Sequence, residues 1–253
     1  MRFDNRTRLR LLAVLGLLGL VGFAAAQGLP LPHVTVGVDG TDKHNDVASS
    51  LQILALLTVL SLAPAILMLT TAFTRIVIIL SFLRQALGTP SIPPNQVVIG
   101  LSLFLTFFVM QPTYNEVSKS AIQPLMAHRI TAEQAMDNAS KPMKDFMLKN
   151  TYKTDIELFM NIRHETAQSV KDVSMVTLIP AFIISELKTA FVVGFYVFIP
   201  FLIIDLIVAS SLMSMGMMML PPTVVSLPAK ILVFVLANGW TTLIAAIMAG
   251  YST

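Results

Sequence analysis

The sequence predicts an all-α fold that lies in or against a membrane, and three observations carry the prediction. Charged residues make up 12% of the chain and apolar ones 55%, against roughly 25% charged residues in soluble domains. The mean hydropathy is +0.76, and it is concentrated in runs long enough for spanning helices. The single charge-rich block, residues 111–172, still repeats apolar residues at helical spacing, at Phe146, Leu148, Ile156, Phe159 and Ile162, so it too reads as a small helical domain.

Taken in order, residues 1–26 have the parts of a secretory signal peptide. Arg2, Arg6, Arg8 and Arg10 form a basic start, residues 11–23 are apolar, and Ala24-Ala25-Ala26 supplies the small residues that precede cleavage, so Gln27 should begin the mature chain. The apolar stretch is short for a span, which needs about 20 residues; the alternative is an uncleaved first anchor. Either way the mature N-terminus faces away from the cytoplasm. The net charge of +3 owes itself to those four arginines, which removes the reason to expect a nucleic-acid partner. Cysteine is absent, which excludes disulfides and thiolate metal sites.

Residues 27–50 are rich in Pro, Gly and polar residues and read as an extended extracytoplasmic leader. The first hydrophobic region, 51–110, begins with an apolar run over 51–87 broken by Pro64, Arg75 and Arg84. It is too long for one straight span and should form two helices meeting near Ala72-Phe73. Gly88 to Asn95 contains three prolines and stops the helix. The pattern resumes at 97–110 and should end at Gln111-Pro112. The charged block has eight acidic and eight basic residues, so no dedicated anion surface is expected. The second hydrophobic region, 173–253, holds an apolar run to Leu220 that Pro221-Pro222 should terminate, then a last helix over 224–249.

Four membrane segments follow, at 51–69, 97–110, 191–213 and 224–249. They place the charged domain and both mature ends outside the cytoplasm, with Arg75 and Arg84 inside as the positive-inside rule prefers. The alternative is that the long regions form hairpins that never cross.

Catalytic motifs are missing. There is no His pair at metal spacing, no G-x-S-x-G and no phosphate-cradling loop, and His33, His44, His128 and His164 are isolated. No second Asp at membrane depth accompanies Asp205, so a membrane protease is excluded as well; neither an enzyme activity nor a cofactor is expected. The charges inside apolar runs are more informative, since each costs at least about 2.5 kcal/mol at bilayer depth and therefore seeks a partner or a water path. Glu186 and Lys188 are two apart and point to different sides of a helix. Glu186 and Asp205 need cations, and Lys188 and Lys230 are the nearest in sequence. Met217, Met218 and Met219 precede Leu220-Pro221-Pro222, where a terminating helix would fan three soft side chains in different directions. Such a cluster suits a deformable seal or a flexible packing plug.

Several stretches resemble the FliP family, the P-type export-gate subunits of flagellar type III secretion: Phe73-Thr74-Arg75-Ile76-Val77-Ile78, Leu83-Arg84-Gln85-Ala86-Leu87-Gly88-Thr89-Pro90 with Pro93-Pro94-Asn95-Gln96, Leu103-Phe104-Leu105-Thr106-Phe107-Phe108, Ser185-Glu186-Leu187-Lys188-Thr189-Ala190-Phe191, Pro200-Phe201-Leu202-Ile203-Ile204-Asp205-Leu206, and Gly216-Met217-Met218-Met219 with Pro221-Pro222. The resemblance covers most of the chain from about residue 50. It implies a pentameric ring of this subunit, with R-type and Q-type gate subunits and the switch protein FlhB, inside the flagellar basal body at the bacterial inner membrane. It implies a helical cone, its helices largely above the bilayer plane, that passes unfolded flagellar proteins, with membrane lipid as a further partner. It further implies a pore gasket at Met217, Met218 and Met219, an intersubunit ion pair between Glu186 and Lys230, and further buried charge at Asp205 and Lys188. Two other readings stay open: a small-solute channel or secondary transporter, and the equivalent gate subunit of a virulence injectisome.

Overall fold

The computed structural model describes the backbone of residues 43–251 other than Pro90, Gln168 and Met218, and side chains from Leu51 on other than Gln52 and Val59. The signal segment and residues 27–42 of the leader lie outside the described residues. Every regular element described is helical: α1 (Lys43–Leu69), α2 (Phe73–Ala86), α3 (Asn95–Val117), a π turn (Ser118–Ile122), α4 (Gln123–Met126), α5 (Ala132–Lys149), α6 (Lys153–Arg163), a short 3-10 turn (Val170–Asp172), α7 (Met175–Ser214), α8 (Pro222–Leu236) and α9 (Gly239–Ala249). The chain divides into two units, Met1–Ala55 and Leu56–Thr253. All that follows beyond α1 belongs to the second.

α2 is the centre of the main core, packed chiefly on α7 and on α3. Its buried residues Ile76, Ile79, Leu80, Leu83 and Ala86 recur every three or four positions, so one stripe of the helix meets its neighbours. α2 and α7 approach closely because Gly194 leaves room for a ring: a Cβ there would stand 2.5 Å from Cδ2 of Phe82. Phe82 also meets Phe191 edge to face at 5.3 Å.

The contacts fix the directions of the helices. Arg75 lies beside Glu186, Phe82 beside Gly194, and the carbonyl of Ala86 accepts from Lys230, which also bonds Asp205. α2 and α7 therefore run the same way. α3 returns beside α2, and α8 with α9 returns beside α7 until Tyr251 reaches Glu186. Beyond α1 this unit is thus two helical hairpins whose turns, after α2 and after α7, face one end. The charged block bridges the opposite ends. Its own core joins Met147 and Ile156 to Val173, Leu178, Ala181 and Phe182, so the first turns of α7 belong to that core as much as to the apolar region.

α5 starts at a capping box in which Thr131 accepts from Gln134 N–H while the Gln134 side chain accepts from Thr131 N–H. Among the described residues two helices, Asn95–Met126 and Met175–Ser214, are long and apolar enough to cross a membrane, and up to four segments qualify if each bent pair is one span.

Four expectations are corrected. Helix α1 begins at Lys43 rather than at Leu51, since residues 43–50 contain neither Pro nor Gly and so carry no breaker. Pro112 does not end α3; the helix continues through Pro112 to the π turn and α4. The backbone bond a helix-interior proline forfeits is offset by docking on α5, where Ser120 and Asn138 bond each other's carbonyls. Arg75 is buried at the end of α2 nearest the charged block. The last helix is two, bent by 63° where Asn238 takes a left-handed conformation with φ of 52°. Finally, α7 ends before the double proline, at Ser214.

Candidate functional site

Helix α7 carries an unusual number of polar groups for so apolar a segment, and each ties it to a different neighbour. Nearest the charged block, Glu165 caps its N-terminus. Its carboxylate accepts from Ser174 N–H at 2.7 Å and Ser174 Oγ at 2.9 Å, and from the Thr177 hydroxyl. Negative charge at a helix N-terminus also meets the positive end of the helix dipole. The Thr177 and Ser174 bonds hold the Glu165 carboxyl below its ordinary range.

Eleven residues into α7 the sequence Ser185-Glu186-Leu187-Lys188-Thr189 points in two directions. Ser185, Lys188 and Thr189 face α6: Ser185 Oγ donates to Asp155 at 2.7 Å, Lys188 pairs with the same carboxylate, and the Thr189 hydroxyl lies 3.1 Å from that of Tyr152. Burial works to raise the Asp155 pKa, but the bonds from Lys188 and Ser185 outweigh it and hold the group below its ordinary value.

Glu186 points the other way, into α2. It is 0% exposed and forms a two-pronged pair with Arg75, whose Nε donates to Oε2 at 3.0 Å and whose Nη2 donates to Oε1. Tyr251 adds a third bond, its hydroxyl 2.8 Å from Oε2. A planar fork is the guanidinium geometry that a carboxylate matches best.

One further stretch down α7, Asp205 accepts from Lys230 Nζ at 2.6 Å and from the Ser226 hydroxyl. Lys230 also donates to the carbonyl of Ala86 at 3.1 Å, where it meets the negative end of α2. This cluster joins α2, α7 and α8 at one point. No buried side-chain polar atom is left without a partner among the described residues.

Glu186 and Lys230 therefore do not meet within the chain, where each has partners of its own. Arg75 and Tyr251 satisfy Glu186, while Lys230 has Asp205 and Ala86. The reading by sequence proximity missed Arg75 because it is 111 positions from Glu186, and treated it as an interfacial cation. The signal available was its place within an apolar helix. Asp205 does find the nearby Lys230, and Lys188 finds Asp155 of the charged block.

Beyond the Asp205–Lys230 cluster the α7–α8 hairpin projects with little cover. Nine further residues of α7 extend about 13 Å, then the helix closes in a Schellman motif. Gly216 N–H bonds Met213 O and Met217 N–H bonds Leu212 O, with Gly216 at φ +75°, the left-handed position that glycine takes most cheaply. Gly216 is the terminator of α7, and Pro222 opens α8 as its first residue. Met217 and Met219 lie in the turn between them, and Met219 is 98% exposed; Met218 lies outside the described residues. Met213, Met215 and Leu220 are exposed beside them.

Comparison with known proteins gives one answer. The sequence model of the FliP family matches residues 56–247. A protein of Bacillus subtilis (strain 168) named flagellar biosynthetic protein FliP is 52% identical over 217 residues, covering 85% of this chain and 98% of its own length. Proteins of the same name from Aquifex aeolicus (strain VF5) and Pectobacterium carotovorum subsp. carotovorum are 49% and 52% identical, covering 91% and 78% of this chain and 95% and 77% of their own lengths.

Proposed function

The chain belongs to the FliP family of flagellar biosynthetic proteins, and from that membership we propose that it is a subunit of the flagellar export gate, through which unfolded flagellar proteins leave the cytoplasm. It acts in the bacterial inner membrane, within the basal body, as a ring of several copies assembled with R-type and Q-type gate subunits and FlhB. The charged block faces away from the cytoplasm in this reading.

The observation that supports it best is the bare apolar hairpin end. Met213, Met215, Met219 and Leu220 are between 43% and 98% exposed, on a hairpin whose base is fixed by ion pairs. A soluble monomer rarely presents so contiguous an apolar patch. Copies of the chain arranged about an axis would bring these flexible thioethers together, and methionine deforms readily around varied cargo. In the most apolar 18-residue window of α7 only 11% is buried within the chain, which leaves the outer surface for lipid or neighbouring subunits.

The deciding experiment has two parts. In cells lacking the chain, restoring it should restore secretion of flagellar filament protein into the medium. Electron microscopy of the detergent-extracted protein should show closed rings. Monomeric particles together with unchanged secretion in the deleted cells would overturn the reading and favour a small-solute transporter.

A further inference from the structure

Tyr251 lies two residues before the end of the chain, yet it gathers contacts from three elements. Its hydroxyl donates to Glu186 of α7 at 2.8 Å and stands 3.3 Å from the carbonyl of Ala72, at the start of α2. The Arg75 guanidinium lies over its ring, 4.1 Å from the centroid, and Arg75 Nη1 also donates to Gly250 O at 3.3 Å. On its remaining side the ring stacks on Phe146 of α5, with centroids 6.2 Å apart and planes at 18°.

The rest of the C-terminal arm is held less firmly. α9 packs on the main core through Leu243 and Ile247, and α8 through Phe234, but Trp240, Leu236 and Val235 are open. The arm bends by 63° at Asn238, so its two helices cannot support each other as one rod. Polar contacts among the described residues fasten it at two places: Lys230 and Ser226 of α8 on Asp205, and the Tyr251 and Gly250 contacts after α9. Between them lies the return path from the Asp205–Lys230 cluster to the charged block.

We propose that Tyr251 is a latch that seats the C-terminal arm on the Arg75–Glu186 pair, and that releasing it frees α9 while the α2–α7 core stays closed. Chemistry favours such a fastening over plain packing. The hydroxyl meets a buried carboxylate, a bond worth more than one between neutral groups. A cation lies on the ring face in a desolvated setting, where the attraction is stronger than at an exposed site. Burial, reinforced by the Glu186 charge, holds the phenol far above its ordinary pKa, so it remains a donor at every pH the cell meets. Arg75 and Glu186 bond each other in the fork without help from Tyr251, which is why the core is expected to survive its loss.

The absence of cysteine from the chain makes a direct test available. Ile247→Cys places one thiol on the buried face of α9, at a position 3% exposed, and Leu178→Cys places one in the separate core, at 0% exposed. Each is combined with Tyr251, Tyr251→Phe or Tyr251→Ala in the full-length chain, and maleimide labelling rates are measured in membranes. With Tyr251 intact both thiols should be protected. Tyr251→Phe, which keeps the ring but loses the bond to a charged partner, should raise labelling at position 247 about tenfold or more, and Tyr251→Ala should raise it further. Position 178 should stay protected throughout. Unchanged labelling at 247 in Tyr251→Ala would overturn the latch, and so would equal labelling at 247 and 178, which would make Tyr251 part of the general packing.

Discussion

Arg75 and Glu186 form an ion pair whose side chains are 7% and 0% exposed, so neither can turn to water if the other is removed. Lys230 is as deeply buried, but its partner Asp205 keeps 22% exposure. That difference orders the mutations. Arg75→Met should cost about 3–5 kcal/mol of stability, because it leaves a buried carboxylate uncompensated. Lys230→Met should cost less, since Asp205 can hydrate. A double-mutant cycle, read by thermal denaturation in detergent, should give strong coupling for Arg75 with Glu186 and little for Glu186 with Lys230. Near-additivity of Arg75→Met and Glu186→Gln would contradict the assigned partners. The same logic applies to Lys188 and Asp155, whose side chains are 53% and 2% exposed. Lys188→Met strands a buried charge, whereas Asp155→Asn leaves a lysine able to reach solvent. The lysine variant should therefore be the less stable of the two on the same assay.

At the scale of elements, the charged block is fastened by carboxylates whose pKa values are lowered, at Asp155 and Glu165. A group whose folded pKa is depressed contributes stability above its unfolded pKa and loses it as pH falls through the folded one. Docking of α6 on α7 should thus be indifferent to pH at neutrality and weaken only below the ordinary carboxylate values of 3.8 and 4.5. Limited proteolysis across a pH series should show α6 cut only at the acid end; increased cutting between pH 6 and 8 would contradict this. Glycine makes a second test. Gly194→Ala would drive a Cβ into Phe82 and separate α2 from α7, at a cost of about 1–3 kcal/mol from overpacking.

The helical character of the apolar runs and of the charged block was legible because apolar spacing is local, and the break near Ala72-Phe73 showed in the same pattern; residues 43–50, polar and without that spacing, were missed. What misled was proline. Pro112 sits inside a helix, since packing along a long apolar segment outweighs one lost backbone bond. The true breaks carried quieter signs, in Gly216 after α7 and the Asn238-Gly239 pair after α8. Ion-pair partners were legible only where sequence distance was short, as for Asp205 and Lys230. Arg75 and Tyr251 reach Glu186 through the tertiary fold, and no spacing rule points there.

For the whole molecule, the decisive feature is that firm and bare regions are separated. Ion pairs bind α7 to α2, α6 and α8 over its length up to Asp205, while among the described residues of the remaining hairpin end only Leu212 and Ser226 are buried. Met219 touches so little of its own chain that replacing it removes almost no packing from the folded subunit, unlike a core methionine, whose loss runs about 2–5 kcal/mol. Met219→Ala should therefore leave the subunit's stability within about 1 kcal/mol of the parent, and changing Met217, Met218 and Met219 together to Ala tests the seal. If the three side chains close a shared channel, the same cells should assemble the ring, continue to export, and become permeable to small ions when no cargo passes. Ion conductance of the membrane and ring assembly on native gels, measured on the one variant, separate the outcomes. An assembled ring with no added conductance would remove these methionines from the seal. A stable subunit that no longer assembles would instead place them in the contacts between copies, and the closure would then have to be sought elsewhere on the hairpin, at Met213, Met215 or Leu220.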